Sequence, residues 1–387
     1  MVQTHLTYKE MTDFGCFYTP EVFVQNLIDK IKCNISNYQD YFYVDSSCGY
    51  GSFLQKLDNL KTIGCDIDKG AIDVATANDK NSNYYCLNTL SGFSRDSINL
   101  QSDSKIIIIG NPPYNDTTSK VKNEFKNQEP CAIDADLKTR DLGISFMLSF
   151  NKLKADYVAV LHPLSYMIKK ANYYLLRPFY NNYSLIDHSI INSQCFSFTS
   201  KTKGFPIIIA LYKRDPKGMN YSEISNMEYK TIDGETFRIN YDSIKNYISK
   251  YPSKYAQPTE SDILFFTMRD INALNRSRTF IEDYGPNAIV INKNKIEYYC
   301  YVDVFKRYIE KLPYYYGNID VFIDNEKFKP IKDVFITNSI ERYPWLKGKD
   351  IKYTHNNDYS LIDNYFSELF NKLITIKNWR MEKSICS

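Results

Sequence analysis

The segment Lys105–Tyr114 (KIIIIGNPPY) joins an unbroken apolar run to an abrupt polar end. The run Lys105–Gly110, with four consecutive isoleucines, predicts a strand that is buried on both faces, as in the centre of a parallel sheet. The tetrapeptide NPPY at 111–114 follows this strand directly. Because ligands of open α/β sheets bind beyond the carboxyl ends of the strands, the segment predicts both a parallel sheet and the place of a ligand site.

The chain around this strand alternates short apolar runs with helix-like stretches. Strands are predicted at Tyr41–Asp45, Lys61–Asp66, Asn83–Asn88, Tyr157–Leu161 and Ile207–Tyr212, and helices at Pro20–Lys32, Ser52–Leu60, 69–77 (with Asp68 as its N-cap) and Asp141–Leu153. This alternation implies crossover connections and an α/β fold with a doubly wound, mostly parallel sheet. The pattern stops at the polar turn cluster Lys213–Gly218. We therefore expect two domains, residues 1–215 and a mixed α+β domain of residues 216–387.

The composition is that of a globular protein. Of the 387 residues, 43% are hydrophobic and 24% are charged, which excludes disorder, collagen and coiled coil. The absence of a long apolar run predicts no membrane span, and the polar segment Met1–Glu10 predicts a cytoplasmic protein without a signal peptide. Nine cysteines without a CxxC pair suit a reducing compartment and give no support for a metal site. A net charge of +3 makes no general electrostatic case for nucleic acid.

A glycine-containing loop, Asp45–Phe53 (DSSCGYGSF), lies where the first strand should meet a helix. Gly49 and Gly51 permit a tight turn and close approach to a ligand, and a helix from Ser52 would point its free amides at that ligand. The next predicted strand ends at Asp66, 21 residues later (66 − 45), which suits the hydroxyls of a ribose. The loop lacks the third glycine of dinucleotide sites and the GK[ST] of phosphate loops. It therefore favours an adenosine-bearing ligand without a phosphate chain, such as S-adenosylmethionine.

The NPPY tetrapeptide combines two hydrogen-bond acceptors with an aromatic ring. Asn111 offers a side-chain carbonyl, and Pro112 has no N–H, so its backbone offers only an acceptor. The consecutive prolines, Pro112 and Pro113, hold both oxygens rigidly, and Tyr114 supplies a flat face. Two fixed acceptors beside an aromatic ring suit a planar NH2 group on a conjugated system. Accepting both of its hydrogens would make the nitrogen nucleophilic towards a sulfonium methyl group without an ionised base.

These motifs resemble those of methyltransferases that use S-adenosylmethionine, specifically the N6-adenine DNA methyltransferases of restriction–modification systems. NPPY matches the catalytic motif, and DSSCGYGSF matches DxxCGxGxF. The order of motifs, with FYTP at Phe17–Pro20 first and a long C-terminal region last, resembles the gamma group. The resemblance implies a Rossmann-like methyltransferase fold and S-adenosylmethionine as cofactor. The cofactor contacts it implies are Phe17, Tyr18, Thr19, Pro20, Asp45, Cys48, Gly49, Gly51, Phe53, Asp66, Asn88, Asn111 and Asp141.

The same resemblance implies an adenine that is rotated out of the duplex. Tyr114 would stack on one face of the base, and either Phe196 or Phe198 would stack on the other. RDLGISF at 140–146 resembles the helix that borders cofactor and substrate, so Phe146 joins Asp141 as a candidate contact. Asn88 departs from the family, which usually has an acidic residue at this position.

The C-terminal region is the candidate for sequence recognition. Lys347, Lys349 and Lys352 around a turn at Gly348 are candidates for phosphate contact. The resemblance implies double-stranded DNA as substrate, a cognate restriction endonuclease as partner, and a monomer. Three alternatives stay open: methylation of RNA, methylation of a protein glutamine, and a catalytically silent DNA-binding relative. The 172 residues (387 − 215) after the predicted sheet favour a large, structured substrate.

Overall fold

The computed structural model describes residues 19–114, 132–196, 204–249, 258–267 and 270–373. The chain divides into two compact units. The first contains the described residues up to Ser225 together with Tyr229–Ile232, and the second contains Asn226–Glu228 and the described residues from Asp233 onward. The division therefore falls later in the chain than the predicted boundary at 215.

A seven-stranded sheet forms the centre of the first unit, in the order β3-β2-β1-β4-β5-β7-β6. Strands β1 to β5 pair in parallel, whereas β7 is antiparallel to β5 and to β6. This arrangement confirms the predicted fold class, a mostly parallel, Rossmann-like α/β sheet. The strands are β1 (Phe42–Asp45), β2 (Lys61–Asp66), β3 (Asn83–Cys86), β4 (Ile106–Gly110), β5 (Tyr157–Pro163), β6 (Tyr183–Asn192) and β7 (Pro206–Arg214), followed by the short β8 (Tyr229–Lys230).

Helices connect the strands of the first unit. The first, α1 (Glu21–Asn34), buries Phe23, Val24, Leu27, Ile28 and Ile31, the three-to-four-residue spacing of an amphipathic helix. In α2 (Lys69–Asn78) the side chain of Asp68 accepts hydrogen bonds from the N–H groups of Gly70 and Ala71, which confirms the predicted N-cap. The others are α3 (Leu142–Lys152), α4 (Ser165–Ile168), α5 (Lys170–Leu175), α6 (Arg177–Tyr180) and α7 (Tyr221–Asn226).

Strand β6 was not among the predicted strands. It lies at the edge of the sheet, and its sequence (YSLIDHSIIN) mixes polar with apolar residues. A bulge between Leu185 and Asp187 further breaks the alternation. Charged residues on an edge strand protect it against pairing with other chains. The same residues interrupt the apolar run by which a strand is predicted from the sequence.

The predicted helix Ser52–Leu60 is wrong. The structure has only a three-residue 3-10 helix, Leu54–Lys56, in this stretch. Asn59 (φ 61°), inside the predicted range, lies in the left-handed region, which a right-handed helix cannot contain, and Gly51 (φ 78°) lies there immediately before the range. The stretch after Gly51 is therefore a short 3-10 turn in place of the longer α-helix expected to follow the loop.

The second unit combines helices with a small sheet. Strand β10 (Leu264–Phe266) pairs antiparallel with β11 (Phe280–Ile281) and with β12 (Ala288–Val290). The remaining elements are β9 (Thr236–Phe237), α8 (Ile271–Arg276), α9 (Ile296–Tyr308), α10 (Asn325–Phe328), α11 (Lys332–Arg342) and α12 (Ser360–Leu373). In the described ranges of both units, no helix is long and apolar enough to cross a membrane.

Aromatic rings fill the core of the second unit. Tyr301 is fully buried and has ring neighbours at centroid distances of 5.0 Å (Phe328), 5.6 Å (Phe335) and 6.0 Å (Phe305). Its hydroxyl donates to the carbonyl of Phe322 at 2.8 Å. Tyrosine can enter such a core because its hydroxyl finds a partner. A large part of the aromatic content of this unit therefore serves packing.

Candidate functional site at the carboxyl edge of β1 and β4

The chain reverses its direction across the sheet between β1 and β4. After β1 it adds β2 and β3 on one side, and after β4 it adds β5 on the other. Such a switch point leaves a crevice at the carboxyl ends of the two strands, and open α/β sheets bind their ligands there. The glycine loop follows β1, and NPPY follows β4. Both sequence motifs therefore meet at this crevice.

The glycine loop is attached to the end of β2. Gly49 (φ 50°) and Gly51 (φ 78°) adopt left-handed conformations, which glycine reaches without a steric penalty. The N–H of Gly49 donates to Oδ2 of Asp66 at 2.8 Å, and the N–H of Asp68 donates to Oδ1 of Asp66 at 2.9 Å. Burial raises the pKa of Asp66, and these two backbone donors oppose the rise. The predicted ribose-binding carboxylate thus lies directly against the predicted cofactor loop.

Asp45 ends β1 as a buried carboxyl group, 2% exposed. Burial is the main cause that raises its pKa to about 8, the nearby charge of Asp66 adds to the rise, and a hydrogen bond from the N–H of Ser47 opposes it. The group packs directly against β4, because a Cβ atom at Gly110 would lie 2.7 Å from Oδ1 of Asp45. The ends of β1 and β4 can approach this closely only because residue 110 has no side chain.

The buried carboxyl of Asp45 predicts a stability that depends on pH. Its pKa of about 8 exceeds the value of about 3.9 expected in an unfolded chain. Between these two values the folded state holds a proton that the unfolded state has lost, so the free energy of unfolding falls as the pH rises, by about 1.4 kcal/mol per pH unit at most. Asp45→Asn removes this titration. We expect denaturant titrations at about pH 6 and about pH 8 to differ less for the variant than for the wild type.

A matched control for this experiment is Asp103→Asn, at an exposed position of the same unit. It should leave the pH dependence as in the wild type. An equal difference between the two pH values for wild type, Asp45→Asn and control would contradict a buried, protonated Asp45.

Cys48 and Phe53, two predicted cofactor contacts, are packed in the core. They are 5% and 3% exposed and belong to the cluster that contains Leu27 and Ile107. The N–H of Cys48 donates to the carbonyl of Cys65 at 2.9 Å. In the structure they support the glycine loop from inside the protein, and a contact of either side chain with a cofactor stays a prediction.

Asn111 is held at one end of its amide and is unpartnered at the other. Its Nδ2 donates to Oγ1 of Thr19 at 3.1 Å. Its Oδ1 is buried and has no hydrogen-bond partner among the described residues. A buried acceptor without a partner is uncommon and calls for an explanation such as a catalytic role. Pro112, the predicted second acceptor, is buried, and Pro113 is half-buried.

The segment before α1 therefore contributes to the NPPY site. Thr19 is 3% exposed, and Pro20 directly precedes α1, where its carbonyl accepts from the N–H of Phe23 at 2.9 Å. The helix thus fixes the position of Thr19 beside Asn111. Phe17 and Tyr18, the two other members of the FYTP motif, lie outside the described residues.

The start of α3 packs against the tyrosine of NPPY. A Cβ atom at Gly143 would lie 3.0 Å from Cβ of Tyr114 and 2.3 Å from the hydroxyl of Tyr166. Burial raises the pKa of Tyr114, and a hydrogen bond from Asn111 opposes that rise. Tyr114 itself stays half-buried. Cβ of Tyr114 thus lies against the start of α3, and its side chain packs against the core cluster that contains Leu27 and Ile107.

Asp141 caps α3 in the structure. Its Oδ1 accepts from the N–H of Gly143 at 3.0 Å and of Ile144 at 3.4 Å, and the hydroxyl of Tyr166 donates to the same oxygen. Phe146 is 7% exposed and lies next to Phe150. These contacts give Asp141 and Phe146 a structural role. Their contacts with cofactor and substrate stay predictions.

Asn88 links the end of β3 to a neighbouring loop. Its Nδ2 donates to the carbonyl of Ala132 at 2.7 Å, and its Oδ1 accepts from the N–H of Leu90 at 3.0 Å. Both ends of the amide therefore have partners. Each end keeps one further hydrogen or lone pair, so a contact of Asn88 with the cofactor adenine stays a prediction.

Phe196 does not fit its predicted stacking role. It is only 1% exposed, and its ring lies 5.7 Å from that of Phe23 in the core cluster. A ring buried to this extent presents no free face to a base. The other candidate, Phe198, lies outside the described residues.

Ser47 is a polar residue of the glycine loop that the sequence did not single out. Its Oγ is buried and, within the described part of the chain, lacks a hydrogen-bond partner. The sequence drew attention to the two glycines of the loop, and no pattern distinguishes Ser47 from Ser46. Ser47 and Asn111 thus give the crevice two buried polar atoms without partners.

The histidine at the end of β5 has its hydrogen bonds satisfied. Nε2 of His162 lies 2.8 Å from the hydroxyl of Tyr212, and Nδ1 lies 2.9 Å from the carbonyl of Pro163. Burial lowers its pKa to about 4, so the ring is neutral at physiological pH. Among the residues that the structure describes, no group of acidic, histidine and cysteine side chains could hold a metal ion.

The three predicted phosphate contacts lie in the second unit. Lys347 and Lys352 are exposed, whereas the ammonium group of Lys349 donates to the carbonyl of Glu260. The turn predicted at Gly348 is displaced: Gly348 ends a 3-10 helix, Pro344–Gly348, and the left-handed residue is Asp350 (φ 49°). The ammonium group of Lys349 thus already binds a carbonyl of the protein. Lys347 and Lys352 are therefore the better candidates for phosphate contact.

Comparison with known proteins gives matches only among solved structures. No protein-family model matches the chain, and no curated protein does. The M protein of the type I restriction enzyme EcoKI is 15% identical with a TM-score of 0.39, covering 55% of this chain and 48% of that one. The type I restriction–modification methyltransferase subunit from Streptococcus thermophilus is 15% identical with a TM-score of 0.34, covering 51% and 45%.

A third similar structure is magnesium protoporphyrin IX methyltransferase from Synechocystis, solved with S-adenosylmethionine bound. It is 12% identical with a TM-score of 0.32, covering 54% of this chain and 85% of that one. The chain spans about half the length of the two type I proteins. At these identities and TM-scores the matches carry no conclusion about substrate or function.

Proposed function

We propose that this protein is a sequence-specific DNA methyltransferase that transfers a methyl group from S-adenosylmethionine to the N6 amine of adenine. The observation that carries the proposal is the carbonyl end of Asn111, a buried acceptor without a partner at the switch point of the sheet. An exocyclic amine supplies the two hydrogens that Asn111 and the adjacent carbonyl of Pro112 can accept. An amine on a planar, conjugated ring would use both acceptors and the ring of Tyr114 together.

The residues of the glycine loop fit a nucleoside cofactor. The left-handed turns at Gly49 and Gly51 form a tight backbone loop, Ser47 offers a buried hydroxyl without a partner among the described residues, and Asp66 lies against the loop. Bound there, S-adenosylmethionine would supply an activated, sulfonium-bound methyl group. Ser47 would contact the cofactor, and Asp66 would accept hydrogen bonds from its ribose.

The chain's own residues would bind and orient the amine. Oδ1 of Asn111 and the carbonyl of Pro112 would accept its two hydrogens, while Tyr114 would stack on the base. Because Oδ1 of Asn111 is buried, the base must displace the atoms that cover it. Extrusion of a base from the duplex costs a few kcal/mol, and stacking on the ring of Tyr114 would offset roughly 1–3 kcal/mol of this cost. An ionised base is not needed before transfer, because the amine gives up its extra proton to water once the methyl group has been transferred.

The proposal includes a duplex as substrate and recognition by the C-terminal region. Exposed Lys347 and Lys352 would contact phosphates, which position a duplex without reading its sequence. A cognate restriction endonuclease would be the functional partner, and the enzyme would act as a monomer.

Tritium transfer from labelled S-adenosylmethionine tests this proposal. We expect incorporation into duplex DNA of mixed sequence, and none into transfer RNA or a peptide release factor. Digestion of the product to nucleosides should place the label on N6-methyladenine. Label in RNA or protein, or in none of the three acceptors, would overturn the proposed substrate.

Tyr114→Ala is expected to raise the KM for DNA and to lower turnover. The stacking of one base contributes roughly 1–3 kcal/mol, so the KM should rise about tenfold to a hundredfold. The affinity for S-adenosylmethionine, measured by calorimetry, should stay nearly unchanged. The control is Tyr174→Ala, because Tyr174 is 63% exposed on α5 and should keep wild-type kinetics. Loss of cofactor binding by Tyr114→Ala would count against its assignment to the base.

A further inference from the structure

The hydrogen bond between Asn111 and Thr19 connects two motifs that are 92 residues apart in the chain. Thr19 is almost fully buried, at 3% exposed. Its hydroxyl accepts from the amide nitrogen of Asn111 at 3.1 Å, and the other end of that amide has no partner among the described residues. The contact therefore joins the segment before α1 to the residue that carries the proposed function.

The orientation of this amide decides what the site can bind. A carboxamide has a donor end and an acceptor end. With its nitrogen bonded to Thr19, Asn111 presents its oxygen on the opposite side of the amide, where that oxygen has no partner among the described residues. Rotation by half a turn would place an NH2 group there, and two amino groups facing each other cannot form a hydrogen bond.

We propose that Thr19 is a positioning residue, whose hydroxyl keeps the acceptor end of Asn111 turned towards the substrate amine. This inference rests on the proposed function and adds a role for Thr19 that differs from cofactor contact. The two roles predict different kinetics: a positioning residue affects turnover at saturating cofactor, whereas a cofactor contact affects cofactor affinity.

Three substitutions at this position separate the roles. Thr19→Val keeps the shape and removes the hydroxyl, Thr19→Ala removes it without a risk of crowding, and Thr19→Ser keeps it. Without the hydroxyl, a buried amide nitrogen loses its acceptor, and the amide relieves this by turning. We expect kcat at saturating S-adenosylmethionine to fall roughly tenfold to a hundredfold in Thr19→Val and Thr19→Ala. Thr19→Ser should stay within about threefold of the wild type.

The matched control is Thr62→Val. Thr62 is also buried, at 4%, and its hydroxyl bonds to that of Ser82 at 2.8 Å. It lies at the amino end of β2, the edge of the sheet opposite to the crevice. The same chemical change there should leave kcat unaltered. A double variant, Thr19→Val with Asn111→Ala, should be no less active than Asn111→Ala alone, because the two residues act as one unit.

Wild-type turnover in both Thr19→Val and Thr19→Ala would overturn the inference. So would a loss of cofactor affinity with normal kcat at saturation, since that result assigns Thr19 to the cofactor. Side-chain amide spectra of the protein labelled with 15N-asparagine test the contact without any substrate. The Asn111 resonance, identified by its absence in Asn111→Ala, should move in Thr19→Val and stay in place in Thr19→Ser. If the wild type methylates nothing, the proposed function fails, while an unmoved resonance is the result that refutes the role of Thr19.

Discussion

Asn111→Ala is expected to reduce methyl transfer by at least roughly 10²–10³-fold, the loss typical when one preorganised hydrogen-bonding group is removed from a reaction centre. The substitution deletes the acceptor that would hold the amine and the donor that binds Thr19. Stability should change little, because Oδ1 forms no hydrogen bond within the described protein and its burial is itself unfavourable. Initial rates with labelled cofactor and a thermal melt measure both effects.

Asn34→Ala is the matched control for this prediction. Asn34 is the last residue of α1, and α1 begins directly after Thr19 and Pro20. A helix of 14 residues is about 21 Å long, so the same substitution is made far from the crevice. It should leave transfer unchanged. Full activity of Asn111→Ala would refute the mechanism. Low activity together with a strongly lowered melting temperature would indicate that Asn111 has a structural role.

Much of the sheet could be predicted because its strands are local and apolar. Lys61–Asp66 was predicted with the bounds that the structure shows, and the strand ending at Gly110 differs by one residue. Edge strand β6 was not predicted, because the polar residues in its sequence interrupt the apolar run. The helix predicted after the glycine loop is wrong because hydrophobic periodicity cannot show a left-handed residue such as Asn59.

The candidate site was predicted as a set of residues but not as a set of contacts. Sequence motifs pointed to Asn111 and to Thr19, but the bond between them joins positions 92 residues apart and exists only in the folded chain. The free hydroxyl of Ser47 and the burial of Phe196 are likewise results of packing. Motifs identify chemistry that local sequence can carry, whereas orientation and access depend on neighbours from other elements.

Gly110 shows how packing at the switch point restricts the sequence. Its φ of 150° is unfavourable for any residue with a Cβ atom. An added Cβ would also lie 2.7 Å from Oδ1 and 3.0 Å from Cγ of Asp45. Asp45 is buried between the strands, so its side chain has little room to give way. The two effects are independent, and both act on the residue that immediately precedes Asn111.

Gly110→Ala is therefore expected to lower the free energy of unfolding by roughly 2–4 kcal/mol and to reduce methyl transfer by displacing Asn111. The control is Gly92→Ala, because Gly92 also has a positive φ (63°) but nothing within 4 Å of an added Cβ. The free energy of unfolding should fall by only about 1 kcal/mol in Gly92→Ala, which is the cost of the backbone conformation alone. Denaturant titration compares the two variants. Gly110 adds the contact with Asp45 to a backbone penalty at least as large as that of Gly92, so equal losses of stability would show that Asp45 does not pack against β4 as described.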